Sequence, residues 1–138
     1  MTNNLFSPPV HDPEPVSGGE KGPVLVIGAA GTDFVGRVKG RLAEGTSNPA
    51  LIRMSYGGVA RNVAENLARL GQPATLLTAV GGDEAGKQLL QQAASTGVDV
   101  SSALVVSQEP TASYLAVLNP NGDLNFALDD MHILSNLT

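Results

Sequence analysis

The sequence predicts an α/β domain, a mainly parallel sheet flanked by helices, and three observations carry that expectation. Pro23-Val24-Leu25-Val26-Ile27-Gly28 is a continuous apolar run ending in small residues, as in a central strand covered on both faces. Gly57 to Gly71 is a glycine pair that runs into an amphipathic helix and closes on another glycine. Ala74 to Val80 is a second apolar run, followed by Asp83 as the N-cap of a helix to Gly97. Strand, helix, strand, helix in that order implies right-handed parallel crossovers.

Length and composition set the frame. A chain of 138 residues with 42% hydrophobic content can bury a core without staples, and the absence of cysteine excludes disulfides and thiolate metal sites. Eight basic against thirteen acidic residues give a net charge of -5, which argues against nucleic acid or an anionic membrane as the main partner and favours a small molecule. No run approaches the roughly eighteen apolar residues of a membrane span, and the start lacks the pattern of a signal peptide. The expected location is cytoplasmic.

Residues 1–22 carry Pro8, Pro9, Pro13, Pro15 and Ser17-Gly18-Gly19 with almost no apolar periodicity, the composition of a disordered leader. His11 lies there beside Asp12 and Glu14, without further ligands at metal spacing. Gly28-Ala29-Ala30-Gly31 lacks the glycine spacing of a dinucleotide fingerprint, and the residues after it do not read as a helix. Instead Phe34, Gly36, Val38, Gly40 and Leu42 alternate with Val35, Arg37, Lys39 and Arg41, the period of an amphipathic strand. Turn chemistry at Gly45-Thr46-Ser47-Asn48-Pro49 and a second alternation over 50–55 predict an antiparallel return, so 34–54 is expected to form a separate small flap. Its basic residues, Arg37, Lys39, Arg41 and Arg53, read as a solvated polar face rather than a binding patch.

In the helix after Gly58, Ala60, Val63, Ala64, Leu67 and Ala68 are expected to face the core, with Arg61, Asn62, Glu65, Asn66 and Arg69 on the polar side. The side-chain-free backbone of Gly57 and Gly58 and the open N–H groups of the first turn could serve a ligand, with Asn62 adding an amide. From spacing alone an ordinary capped helix explains them equally well. Gly81-Gly82-Asp83-Glu84-Ala85-Gly86-Lys87 imitates a phosphate-binding loop, but Gln88 stands where a hydroxyl would hold magnesium, and two carboxylates would face the phosphates. Val98 to Val106 reads as a short strand. Thr111 to Leu118 and Leu124 to Leu128 flank the hairpin turn Asn119-Pro120-Asn121-Gly122-Asp123. Asp129, Asp130 and His132, nearly contiguous, are not a metal-site pattern, so no metal ligands are assigned.

The run Gly-Gly-x-x-x-Asn-x-Ala-x-x-Leu-Ala-x-Leu-Gly over Gly57 to Gly71 resembles the first signature of the ribokinase-like (PfkB) carbohydrate and nucleoside kinases. Val24 to Asp33, Ala79 to Gly86, and Thr111 to Leu118 with its hairpin fall in the same order as in that family. Thr46-Ser47-Asn48-Pro49, the helix Arg61-Asn62-Val63-Ala64-Glu65-Asn66 and Asp130-Met131 look most like pseudouridine kinases. The resemblance implies a ribokinase-like fold with an antiparallel β lid, of which 23–138 would be the N-terminal part with 34–54 as lid flap. It implies transfer of the ATP γ-phosphoryl group to a hydroxymethyl group of a nucleoside or sugar. It also implies a homodimer formed through the lid.

By the same resemblance Asp33, at the end of the first strand, accepts hydrogen bonds from sugar hydroxyls, Gly57 and Gly58 supply backbone donors, and Asn62 brackets the same hydroxyls. Thr46, Asn48 and Tyr114 would line the lid side. Val59 stands where some sugar-specific members carry lysine, which is compatible with a nucleoside. The family's Asp-Thr-x-Gly-Ala-Gly-Asp run, with the general base and anion hole, and its Asn-x-x-Glu magnesium motif do not occur in the sequence. ATP and Mg2+ are therefore implied by the family while their sites, and any catalytic residue, are not in this chain. The expected activity is that of a substrate-binding half, either of a pseudouridine kinase-like enzyme or of a ribokinase-like sugar kinase. The alternative is a non-catalytic binding or dimerisation module.

Overall fold

The structure, a computed structural model, describes residues 22–137. The leader expected over 1–22 lies outside them, apart from Gly22. Eight strands and two α-helices follow in chain order: β1 (Val24–Ile27), β2 (Gly31–Val38), β3 (Ala50–Gly57), α1 (Val59–Arg69), β4 (Ala74–Leu77), β5 (Ala79–Gly81), α2 (Glu84–Ser95), β6 (Leu104–Val106), β7 (Ser113–Leu118) and β8 (Leu124–Asp130), with a closing 3-10 turn over His132–Leu137.

The parallel layer is present. β1 pairs with β4 and β5 with β6, all parallel, and the Asp99 backbone, bonded to Ala74 and Leu76, continues the layer beside β4. The apolar run 74–80 is two strands rather than one. It breaks at Thr78, whose carbonyl accepts from Leu104, because the two halves take different neighbours. Ala60 and Ala64 of α1 and Leu89 and Ala93 of α2 pack with Leu76 and Val80 into the main core. Asp83 caps α2 as expected, its carboxylate accepting from Gly86 N at 2.9 Å. Gly71 and Gly97, at φ 74 and 92, take the left-handed conformation that closes each helix. β1 is not covered on both faces: Leu25 and Ile27 are more than half exposed, since the helices pack on one side only.

The flap is larger than the sequence indicates. β2 and β3 pair antiparallel through eight rungs from Gly31↔Gly57 to Val38↔Ala50, but β2 also pairs parallel with β7, and β7 antiparallel with β8. The result is one four-stranded sheet in the order β3-β2-β7-β8, so 34–54 is not a separate flap. β2 stops at Val38, short of the expected Leu42. Beyond it Lys39 N still reaches Pro49 O, and then Pro49, with no N–H, cannot extend the ladder.

Candidate functional site

Asp33 is the third residue of β2, not the last of the first strand, because β1 ends at Ile27 and the chain turns through 28–30, with Gly28 at φ 143, before extending again. That displacement brings its carboxylate over the end of β3. A methyl group placed on Gly57 would collide with Asp33 Oδ2, so only glycine leaves room for the carboxylate. Gly58, at φ 98, is the N-cap of α1, and a methyl there would collide with Ala29 O. The glycine pair thus lets a helix start against the β1–β2 crossing and an acid lie on its entry. No acidic residue occupies the first turn of α1, and among the described residues the Val59 and Ala60 N–H groups have no protein acceptor. Asn62 is exposed one turn in. The acceptor Asp33 thus lies beside the open donors of the helix start, and Asn62 adds an exposed amide one turn along the same helix.

Burial raises the Asp33 carboxyl above the usual range, and the positive charge of Arg61 pulls it partly back. Arg61 is the residue that periodicity misplaced. It and Glu65, expected on the polar side of α1, are 6% and 5% exposed, whereas Val63, expected in the core, is 44% exposed. Arg61 Nη2 pairs with Glu65 Oε1 at 2.5 Å and also donates to Gln92 Oε1 of α2; Nη1 donates to Tyr56 O at 2.9 Å and to Asn62 Oδ1 at 3.0 Å. The helix rotates toward its ion pair because α2 and the end of β3 supply acceptors there. The i, i+4 spacing of opposite charges at 61 and 65, next to the glycine pair, was the one available signal.

Tyr114 is brought to Asp33: the two are register partners on β7 and β2 and so share a face, with Ser55 on the other side of Asp33 and Asp129 beyond Tyr114. Thr46 and Asn48 are not. They sit past the far end of β2, roughly 16 Å along the strand from Asp33 at 3.3 Å per residue. Asn48 instead closes its own loop, exchanging bonds with the Ala43 N–H and carbonyl and reaching Thr46 O. It lines a cavity of about 260 Å3 on the opposite face, with Phe34, Ile52 and Phe126.

The residues present do not fit ATP or Mg2+. The Asp83 carboxylate occupies the start of α2, accepting from Gly86 N, Thr111 N and Thr111 Oγ1, where a phosphate would have to lie. Burial pushes Asp83 up, yet these bonds from Thr111 and Gly86 together hold it below the usual carboxylate range. No group of three or more His, Cys, Asp or Glu side chains among the described residues could hold a metal ion. No described helix is long and apolar enough to cross a membrane.

Residues 22–138 match the family described as pfkB family carbohydrate kinase. The chain is 44% identical over 119 residues to pseudouridine kinase of Escherichia coli, an alignment covering 86% of this chain and 38% of that protein. It is 31% identical over 105 residues to guanosine-inosine kinase of Exiguobacterium acetylicum, covering 76% of this chain and 35% of the relative. Among solved structures, a carbohydrate kinase from Agrobacterium tumefaciens superposes with a TM-score of 0.73 at 34% identity, over 80% of this chain and 36% of that one. A ribokinase from Arabidopsis thaliana, solved with ribose and ATP, gives 0.69 at 27% identity, over 78% and 35%. The chain thus spans well under half the length of the relatives it matches. Its fold is ribokinase-like, and the chain belongs to the pfkB family of carbohydrate kinases.

Proposed function

We propose that this chain is the substrate-binding part of an ATP-dependent kinase that phosphorylates the hydroxymethyl group of a nucleoside or sugar, with pseudouridine as the leading substrate. The observation that carries the reading is the Asp33 carboxylate seated on Gly57 at the open start of α1, with Asn62 one turn in. In this reading Asp33 accepts from ring hydroxyls, the N–H groups that follow Gly57 and Gly58 donate to them, Asn62 brackets them and Tyr114 covers them from β7. The similarity to pseudouridine kinase of Escherichia coli favours a C-linked nucleoside over a simple sugar. Residues 23–138 form the N-terminal part of the kinase domain, and the sheet holding 34–54 is the lid. ATP and Mg2+ are bound by segments outside this chain, and the working location is the cytoplasm.

The test is to incubate the purified chain with labelled ATP, magnesium and pseudouridine or ribose, and separately to titrate the nucleoside. Weak binding that Asp33→Ala abolishes, with no phosphate transferred, is expected, because the family's run carrying the general base and anion hole does not occur in the sequence. Turnover above background that disappears in Asp33→Ala would overturn the division of labour, and absence of binding would overturn the cradle.

A second reading, a dimerisation module, is favoured by one observation. Phe34, Ile52, Met54, Leu115, Phe126 and Leu128 share the face of the lid sheet opposite Asp33, and all are exposed. A homodimer through this face is compatible with ligand binding on the other, and Ile52→Lys with Phe126→Ser should abolish self-association in sedimentation without affecting the Asp33 face.

A further inference from the structure

The guanidinium of Arg61 reaches four acceptors at once: Glu65 Oε1 within α1, Gln92 Oε1 on α2, Tyr56 O at the end of β3, and Asn62 Oδ1. Three of these hold it in place, while the fourth belongs to the cradle. A guanidinium has donors and no acceptor, so the Asn62 amide facing it must present oxygen. Its NH2 group is thereby turned away from Arg61, and among the described residues it has no protein partner. A second observation marks the same side chain: Arg61 Nε is buried with no hydrogen-bond partner among the described residues, so the fold they form does not use every donor of the guanidinium.

We propose that Arg61 is a positioning residue that fixes the Asn62 amide with its NH2 toward the ligand, so that the cradle offers one acceptor, Asp33, and one donor, Asn62, to adjacent hydroxyls. This rests on the cradle reading above and adds its polarity. A free asparagine amide would present oxygen and nitrogen alternately, and beside the Asp33 carboxylate an outward oxygen would leave two acceptors. Two acceptors would leave both hydroxyl oxygens without a side-chain donor, whereas the fixed amide lets one hydroxyl donate to Asp33 while its neighbour accepts from Asn62. With the amide fixed, the pair selects vicinal hydroxyls over a single one. The inferred specificity is therefore for ribosyl over deoxyribosyl ligands.

The experiment uses the isotopically labelled chain, its Arg61→Lys and Asn62→Asp variants, and uridine and deoxyuridine as probes. Without ligand, the Asn62 side-chain NH2 resonances should show a restrained amide in the wild type and a mobile one in Arg61→Lys. Equal mobility in both would overturn the proposal whether or not any nucleoside binds. In titrations the wild type should prefer uridine by about tenfold, the scale of one hydrogen bond. Arg61→Lys should bring the two affinities together; a purely structural Arg61 would weaken both equally and keep their ratio, which would contradict the assignment. Asn62→Asp retains a partner for Arg61, so its melting temperature should hold while the uridine preference disappears. An unchanged preference in Asn62→Asp would refute the donor role. If the wild type binds neither nucleoside while its amide is restrained, the cradle reading fails and the positioning of Asn62 stands.

Discussion

The two layers of this chain use apolar residues in opposite ways. In the parallel layer Leu76, Val80 and Leu89 are fully buried between strands and helices, whereas in the four-stranded sheet Ile52 is 69% exposed and Leu128 62%. The first layer has helices to cover it. The second has no described helix on its apolar face, so its stability rests mainly on its backbone ladders. The proposed cradle draws on both: Asp33 comes from the sheet and Asn62 from the helix. The contrast teaches that the helix-covered layer and the four-stranded sheet draw on different sources of stability.

The largest effect expected is at the junction. Glu65→Ala leaves the buried Arg61 charge without its carboxylate, a change of about 3–5 kcal/mol in such pairs. Urea unfolding should place it at or beyond the cost of Leu89→Ala, about 2–5 kcal/mol for a core leucine. If Glu65→Ala were nearly neutral, the ion pair would not be what orients α1.

Asp83→Ala removes a cap and two bonds to Thr111, with about 0.5–2 kcal/mol expected for the cap alone. Its folded pKa is below the unfolded value, so Asp83 contributes stability above the usual carboxylate range that is lost as pH falls through the folded pKa. Wild type and variant should converge in melting temperature under acid.

Asp33 has the opposite sign. Its folded pKa is raised, so the ionised form costs stability at neutral pH, and that cost is relieved as pH falls through the folded pKa. Asp33→Asn should therefore melt higher than wild type at pH 7, and the gap should close in acid. A variant that melts lower at pH 7 would mean that the carboxylate is held for the fold rather than for a ligand. Smallest of all, Ile52→Ala should change monomer stability by no more than about 0.5 kcal/mol, as for exposed positions generally.

How much was legible depends on the range of the interactions. Asp83 as N-cap, Gly71 and Gly97 as helix ends and the 119–123 turn are local, and each is where the sequence puts it, with Asn119 N bonded to Asp123 O across the turn. The pairing of β2 with β7 joins residues some eighty positions apart, and no alternation in either strand specifies the neighbour. That is why a two-stranded flap was expected where four strands form. The pairing of Arg61 and Glu65 had its i, i+4 signal, but their burial was illegible for a related reason. A charged pair reads as surface until the acceptors at Tyr56 and Gln92, from other elements, make its burial possible. Within the candidate site, Gly57, Gly58 and Asn62 were legible as a glycine pair opening a helix, and Asp33 came from the family resemblance; the structure brings Tyr114 to the face of Asp33 but leaves Thr46 and Asn48 at the far end of the hairpin.

The central claim is that Asp33, the Gly57-Gly58 turn and Asn62 form one nucleoside cradle. Backbone amide shifts of the labelled chain on adding pseudouridine test it most directly. The account predicts saturable shifts centred on Asp33, Gly57, Gly58 and Asn62 that vanish in Asp33→Asn while the parallel core is unmoved. Shifts centred on the opposite lid face at Phe34, Ile52 and Phe126, or shifts that persist in Asp33→Asn, would contradict it.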